Sequence, residues 1–496
     1  MAECNDRIGE IFKGKTVFLS GATGFLGKML IEKLLRVTEV KTLYLLIRQK
    51  KGKSPKDRLQ DIFNHVLFST VKKTRPDCFK KCVVVTGDVL ETELGLLEND
   101  RKTMVKEVEF IFHSAASTRF DDTLEYAIRM NTLGTKYMLN FAKQCQKLKL
   151  FAHISTAFAF PNEKVLHEKI YDPPADPQQI IEMTTASDPA AKIKLPEKNI
   201  MGNYPNTYSY SKALAEGLVN QQMETLPAII VRPAVVIPTF KEPLPGYFNN
   251  LQSPMGLFVG AGKGVIRSVY MDSKTSANVI PADSCINVML LAVWDYLTTK
   301  RQPVFNICVP REDLTVNWEQ ILDIGKDIVS NEIPFNVMLW CPGGIMTKSK
   351  MFHYIHVVLF QLIPAVFVDL LLICLGYKPV LISVNQRLLK GQDLLEYYTT
   401  RAWKFDMRYF MNLRKTMNDV EKRIYQVEAE NIDIPEYLRG CMMYARRHIL
   451  HETDEMMPAA KRNLKIFVAV DRILKASFFI VLFYYVYKLG QRLLNF

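Results

Sequence analysis

Tyr208 and Lys212 stand four residues apart in the run Tyr208-Ser209-Tyr210-Ser211-Lys212. On a helix that spacing sets both side chains on one face. An ammonium beside a phenol lowers the phenol's pKa, and the phenol can then hand a proton to the oxygen of a carbonyl under reduction. Tyr210 has Leu214 at the same offset, so it is not the pair's tyrosine. Tyr484 and Lys488 repeat the spacing inside an apolar C-terminal run, where they read as part of an anchor. About fifty residues before Tyr208, an apolar run ends in His153-Ile154-Ser155-Thr156. A hydroxyl there, from Ser155 or Thr156, can hydrogen-bond the same carbonyl. Nearer the start, Gly21-Ala22-Thr23-Gly24-Phe25-Leu26-Gly27 joins an apolar run to an amphipathic one. Without Cβ atoms the backbone turns tightly and approaches a pyrophosphate, whose charge then sits at a helix N-terminus.

These groups need a frame. From Thr16 to about Arg232, short β-type runs alternate with helical patterns. The runs are Thr16–Ser20, Thr42–Ile47, Val83–Thr86, Phe110–His113, Phe151–Ser155 and Ala228–Val231, with amphipathic stretches such as Leu26–Arg36 and Asn131–Cys145 between them. Continuous apolar strands separated by helices predict an α/β fold with a doubly wound parallel, Rossmann-type sheet. In that frame the glycine loop binds a nicotinamide dinucleotide. The end of the second strand chooses which one, because a carboxylate takes a ribose 2′-hydroxyl and a cation a 2′-phosphate. Arg48, Lys50 and Lys51 follow that strand with no acid before Asp57, so NADPH is the expected cofactor.

At 496 residues the chain is expected to form two or three domains. We expect a catalytic domain over residues 1–313, a smaller α-rich domain over 314–452, and a basic linker with an apolar anchor over 453–496. Pro/Asp-rich text around Asp172–Pro189 reads as a long loop, and Leu413–Val427 as a charged helical stretch. With 48% hydrophobic and 23% charged residues the chain is globular rather than disordered. A formal charge of +13 suits anionic partners: nucleic acid, an acidic membrane face or a phosphorylated small molecule. No RNA-binding signature, zinc-finger spacing or long basic run is present, so nucleic acid is set aside. Nine cysteines, from Cys4 to Cys441, include no CxxC pair and read as reduced thiols, with no metal site. The first fifteen residues hold no apolar core of a secretory signal, so the bulk of the protein is expected to face the cytosol.

Two apolar stretches stand apart. Val357–Gly376 is long enough to span a bilayer but contains Gln361, Pro364 and Asp369, so spanning, skimming and burial all stay open. Ala476–Tyr487 is uninterrupted and flanked by Arg472, Lys475, Lys488 and Arg492. It is expected to be a membrane anchor, with a buried helix as the alternative.

The GxxGxxG spacing, the strand-end hydroxyls, the Tyr-Lys pair and Arg232-Pro233 together resemble an extended short-chain dehydrogenase/reductase over most of residues 14–290. Ser20–Gly27, Phe112–Phe120, His153–Phe160, Pro205–Glu216, Val231–Val236 and Ser253–Lys263 narrow the resemblance to the alcohol-forming fatty acyl-CoA reductases. That resemblance implies Thr156 as the catalytic hydroxyl, with Ser155 as runner-up, beside Tyr208 and Lys212. It implies a cofactor site at Gly21, Thr23, Gly24, Phe25, Leu26, Gly27, Arg48, Asp88, Val89, Ala115, Ala116, Lys212 and Pro233. His113 and Asn131 fall where the superfamily lines the nicotinamide and the helix beneath it. The implied reaction takes a long-chain acyl-CoA and two NADPH through an aldehyde to a primary alcohol. It would occur on a membrane, the endoplasmic reticulum being expected, with peroxisome or lipid droplet as alternatives. The usual Ser-Thr-Ala-Tyr aromatic positions carry Phe158 and Phe160, a departure expected to reshape the acyl pocket. A sterol or sugar-nucleotide dehydrogenase of the same superfamily, or a non-catalytic NADP sensor, are the rival readings.

Overall fold

A computed structural model of the protein describes residues 5–50, 52–185, 197–251, 254–310, 316–427 and 432–494. Cys4, Lys51, Ser253 and Leu314 lie outside the described residues, as do positions 186–189 of the expected loop. The chain divides into two compact units.

The first unit comprises Met1–Phe248, Asn278–Thr315 and Trp403–Ile432. It holds β1 (Thr16–Ser20), β2 (Thr42–Ile47), β3 (Cys82–Thr86), β4 (Phe110–His113), β5 (Leu150–Ile154), β6 (Ala228–Pro233) and β7 (Val304–Ile307). They form one seven-stranded sheet in the order β7–β6–β5–β4–β1–β2–β3, with every pairing parallel. Order reverses beside β1, between β4 and β2, so a crevice opens at the carboxyl edge there. β1, β4, β5, β6 and β7 are buried at every position, which is why their sequences read as unbroken apolar runs rather than as alternation. β7 and β3 are the two edge strands, and only β3 is partly exposed along its length. β7 escaped the sequence reading because Val-Phe-Asn-Ile is four residues long, interrupted by Asn306, and isolated from the other strands in the chain.

The helices of this unit that bear on the site are α1 (Phe25–Val37), α2 (Pro55–Asn64), α3 (Gly134–Gln144), α4 (Thr207–Asn220) and α5 (Ala282–Thr299). α2 starts at a capping box, Ser54 accepting from the Asp57 N–H while the Asp57 side chain returns to the Ser54 N–H. Asn206 caps α4 by accepting from the Ser209 N–H at 2.9 Å. α3 is preceded by a π-turn at Ile128–Leu133 rather than beginning at Asn131. Leu124, Ile128, Met138, Phe141, Phe151, Tyr210 and Leu214 belong to the core cluster on one face of the sheet. The text around Asp172–Pro189 is not wholly loop. Pro177–Thr185 is a helix whose Ile180 and Ile181 join that core, an amphipathic repeat hidden by the surrounding Pro and Asp.

Trp403–Ile432, grouped by sequence with the C-terminal helices, belongs to this first unit. Arg7 donates in bidentate fashion to Glu421, both bonds 2.7 Å, and Tyr425 donates to Asp6 at 3.0 Å. Phe405 bridges to Leu166, and Asn306 of β7 donates to the carbonyls of Leu166 and Asp406. The charged stretch Leu413–Val427 is not one helix. It breaks between Arg408–Arg414 and Asp419–Ile424, the second opened by an Asn418 capping box.

The second unit comprises Asn249–Ala277, Val316–Ala402 and Asp433–Phe496. Its principal helices are α6 (Lys350–Val357), α7 (Ile363–Cys374), α8 (Leu381–Thr399) and α9 (Met457–Leu494). A π-turn at Val358–Leu362 joins α6 to α7. Pro364 closely follows that π-turn, at the start of α7. A two-stranded parallel ribbon pairs Ser268–Tyr270 with Ile345–Thr347.

Candidate active site

The glycine loop follows β1 directly. Gly21 has φ +77°, a region that disfavours side chains, and a Cβ there would lie 2.7 Å from the Ala115 nitrogen. A Cβ on Gly27 would meet the Gly21 carbonyl oxygen at 2.2 Å, so α1 packs as closely on the loop as backbone permits. Gly24 is the N-cap of α1 and supplies no side chain to its first amides. The loop therefore presents an open helix N-terminus, a cradle that fits a dinucleotide pyrophosphate. Phe25 turns away to stack against Tyr247, ring centroids 5.5 Å apart, and Leu26 is half-buried.

At the carboxyl ends of β2 and β3, Arg48 pairs with Asp88 at 2.9 Å. Asp88 also accepts from the Leu90 N–H at 3.1 Å. Val89 points into the core and packs against Gly134. Sequence reasoning missed Arg58. From the first turn of α2 its guanidinium donates to the Arg48 carbonyl at 2.6 Å and to Thr23 Oγ1 at 3.2 Å. Burial, and then the charge of Arg48, push the Arg58 pKa down. Arg58 thus brings a guanidinium to the glycine loop, beside the Arg48–Asp88 pair. The signal available in sequence was the Ser54 capping box, which marks where that helix starts but not where it points. Lys50 is exposed and bridges through its backbone to Lys53.

α4 carries the Tyr-Lys pair. Tyr208 is half-buried and stacks on Phe120, centroids 5.7 Å apart and planes 26° from parallel. Lys212 is buried, and its Nζ donates to the Ile154 carbonyl at the end of β5, 2.7 Å away. Burial pushes its pKa down to about 8, against the opposing pull of Glu216. Tyr210 sits in the core, its hydroxyl pKa pushed up to about 12 by burial, in keeping with a packing role.

The two strand-end hydroxyls differ. Ser155 Oγ donates to Glu216, one turn beyond Lys212 on α4. Glu216 in turn accepts from Arg232 Nε at 3.0 Å and from Nη2 at 2.6 Å. Arg232 is fully buried, donates to the His167 carbonyl, and lies over the rings of Phe160 and Tyr171. Ser155 is thus committed to holding a buried ion pair. Thr156 Oγ1 accepts from the Phe158 N–H at 3.2 Å, which leaves its own proton uncommitted by that bond. Pro233 ends β6, and its carbonyl accepts from the Ala157 N–H at 2.9 Å.

Below these residues a hydrogen-bonded chain runs from Asn131 to Ala115. Thr135 donates to the Asn131 carbonyl at 2.6 Å, so its oxygen accepts from His113 Nε2 at 3.0 Å. His113 Nδ1 then accepts from Ser20, 2.8 Å away, and Ser20 accepts from the Ala115 N–H. Burial and then Lys212 push the His113 pKa down to about 3, so this ring stays neutral. His153 is likewise held well below its usual value, by burial, Lys212 and His113 in turn. Asn131 clamps the β4 loop, its amide oxygen accepting from Ser117 N–H while Nδ2 donates to Ser117 O and Ser211 Oγ. The loop carrying Ala115 and Ala116 is thereby tied to α4.

Of the two departures from the resemblance, Phe160 packs against Tyr171 beside Arg232. Phe158, two residues past Thr156, meets Trp403 and Phe405 edge-on at 5.3 and 5.5 Å. The returning segment thus supplies an aromatic wall next to Thr156 that no local sequence signal announced. Among the described residues no cluster of three or more metal-ligating side chains occurs.

Residues 19–289 match one family model described as "Male sterility protein", and residues 360–452 match a second of the same description. Fatty acyl-CoA reductase wat of Drosophila melanogaster is 33% identical over 90% of this chain and 86% of its own length. Fatty acyl-CoA reductase 1 of Rattus norvegicus is 32% identical over 92% and 89% respectively. Among solved structures, the reductase domain of a nonribosomal peptide synthetase from Mycobacterium tuberculosis superposes with TM-score 0.58 at 16% identity, covering 88% of this chain and 95% of that one. The terminal R domain of the myxalamid pathway gives 0.57 at 18%, covering 88% and 92%. These two establish a shared fold.

Proposed function

Because the chain belongs to the fatty acyl-CoA reductase family of nicotinamide-dependent oxidoreductases, we propose that it reduces long-chain fatty acyl-CoA to a primary alcohol and CoA, consuming two NADPH. What carries this reading is the placement of Lys212, which shares α4 with Tyr208 and donates to the Ile154 carbonyl at the carboxyl end of β5, two residues before Thr156. When bound, the nicotinamide supplies the hydride. Tyr208 and Thr156 hold the carbonyl oxygen as negative charge develops on it. Tyr208 delivers a proton to that oxygen, and Lys212 keeps the phenol acidic. Loss of the CoA thiol from the resulting hemithioacetal leaves an aldehyde, and a second round at the same residues gives the alcohol. Membranes containing the protein, incubated with labelled acyl-CoAs and NADPH, should yield labelled fatty alcohol. An acid or no product at all would overturn the reading.

The cofactor preference is testable on its own. Arg48→Asp and Arg58→Ala should each weaken NADPH by about 1.5–3 kcal/mol, the worth of a hydrogen bond to a charged group, while changing NADH affinity far less. Titration of protein fluorescence with both cofactors measures this, and equal losses for the two would remove that arginine from the phosphate site.

The pH dependence follows from Lys212. Its pKa near 8 means the ammonium is charged below that pH and neutral above it. kcat/KM should therefore fall on the alkaline side from about pH 8. A profile flat to about pH 10 would take Lys212 out of the proton path.

We further propose that the catalytic unit faces the cytosol on a membrane of the endoplasmic reticulum, held by the C-terminal segment. Residues 476–487 lie within α9, and Phe479, Ile480, Val481, Phe483 and Tyr484 to Tyr487 are all exposed. That exposure supports an anchor and runs against a buried C-terminal helix. Deleting residues 473–496 should lower the membrane-bound fraction with NADPH oxidation retained, and partial release fits the reading because the Val357–Gly376 stretch can hold on by itself. Aggregation with loss of NADPH binding would show a structural segment instead.

A further inference from the structure

Among the described residues one helical stretch, Lys350–Cys374, is long and apolar enough to cross a membrane. Its 25 residues extend roughly 37 Å at ~1.5 Å each, ample for a ~30 Å hydrocarbon core. Only 22% of its most apolar window is buried, so it is not the core helix of a soluble domain. Its polar residues are nonetheless hidden. Gln361 accepts from the Arg267 N–H at 3.1 Å and donates to Asn385 at 2.7 Å. Asp369 caps α8 by accepting from the N–H groups of Val380, Leu381 and Ile382 at 2.8–2.9 Å. Facing the other way, Phe360, Ile363, Phe367, Leu370 and Leu371 are about half exposed or more. The helix is amphipathic with its apolar side outward.

Its partner decides how it can meet lipid. Rungs at Lys350–Glu396, Tyr354–Asp393, Gln361–Asn385 and Asp369–Leu381 run α8 antiparallel along the whole length of α6 and α7. α8 carries Arg387, Lys390, Asp393 and Glu396, and the rungs set the first two level with about residues 356–360, inside the first half of the 25-residue stretch. A spanning helix would drag these charges into the hydrocarbon, where ionised side chains are strongly disfavoured. A helix lying in the surface keeps them in water while burying the apolar side.

We propose that the hairpin from Met351 to Ile382 is a non-spanning lipid-docking element whose apolar face enters one leaflet of a bilayer. The proposal rests on the membrane reading above and adds a second attachment to it. Exposed Lys348, Lys378 and Tyr377 at its ends suit the headgroup layer. It is also continuous with the anchor. Arg267, which donates to Gln361 and to the Cys341 carbonyl, lies beside Trp340, and Trp340 donates to Asp471 of α9 at 2.8 Å. Both apolar elements thus spring from one place on the second unit, and among the described side chains of α9 beyond it Ile473, Leu474, Phe479, Ile480, Val481 and Phe483 are exposed, as lipid contact requires.

Cys374 is exposed near the hairpin tip and serves as a reporter. The full chain labelled there with bimane, with Cys374→Ser as background control, is mixed with sealed phosphatidylcholine/phosphatidylserine vesicles. Expected are flotation, a blue shift, and quenching by nitroxides carried on the lipid chains. In a second chain, Cys374→Ser with Arg387→Cys, the thiol should stay reactive to an impermeant maleimide added outside. Phe367→Glu with Leu371→Glu, both exposed positions, should abolish the blue shift without changing the melting curve. Protection of position 387 until detergent is added would show a span and overturn the proposal. A water-like bimane signal on a floating chain would overturn it while leaving the anchor standing, and so would quenching of the patch by self-association without lipid. A full chain that does not float would defeat the membrane reading along with it.

Discussion

Tyr208→Phe is expected to cut alcohol formation by about a hundredfold to ten-thousandfold, the range for losing a positioned general acid. The phenylalanine ring keeps the stacking on Phe120, so only the hydroxyl is removed. Fold and cofactor binding should be unchanged, and the loss should appear in kcat rather than in NADPH affinity. Lys212→Ala should fall as far, though less cleanly, because it also strips the Ile154 carbonyl of its donor. Single-turnover NADPH oxidation with a long-chain acyl-CoA, beside a melting curve, separates chemistry from stability. A folded Tyr208→Phe protein making alcohol at near the original rate would refute the assignment.

Glu216→Ala should act on stability instead. Arg232 is fully buried, and Glu216 accepts both its Nε and its Nη2. Removing the carboxylate strands a guanidinium in the interior and frees Ser155 from its acceptor. Breaking one partner of a buried pair costs about 3–5 kcal/mol, a large share of the roughly 5–15 kcal/mol that holds a typical domain folded. Glu216→Gln keeps an acceptor oxygen and should lose less. Adding Arg232→Met to Glu216→Ala should recover part of the loss, because the stranded charge is then gone. Urea denaturation of the four proteins checks this, and a single Glu216→Ala variant as stable as the parent would show the pair to be energetically idle.

What the sequence made legible was local. A strand, a glycine turn and a helix are contiguous in the chain, so residues 16–37 announced both the fold and the cofactor cradle. The Tyr208–Lys212 spacing is likewise internal to one helix. The bond that engages Ser155 comes from Glu216, sixty-one residues away, which is itself held by an arginine on another strand. Arg58 reaches the loop through a helix whose direction depends on packing. Trp403 and Phe405 reach Phe158 through a chain reversal that no periodicity encodes. Asp369 looked like an objection to membrane contact because one sequence cannot show that three backbone amides shelter it.

The return of Trp403–Ile432 to the first unit also sets an order of events during synthesis. Arg7 is made long before its partner Glu421, which lies 414 residues further along the chain. At roughly 5–20 residues per second, the stretch from Thr315 to Ile432 takes on the order of ten seconds to make. For that interval the catalytic sheet exists without the segment that bridges to Leu166 and closes on Arg7. The apolar hairpin emerges inside the same interval, ahead of the piece that completes the enzyme. A nascent chain therefore offers its greasiest surface before its reductase is finished, which favours delivery to a bilayer while translation is still under way. A fragment cut after β7 for expression would carry every residue of the proposed Tyr-Lys-Thr chemistry and still be an unfinished unit.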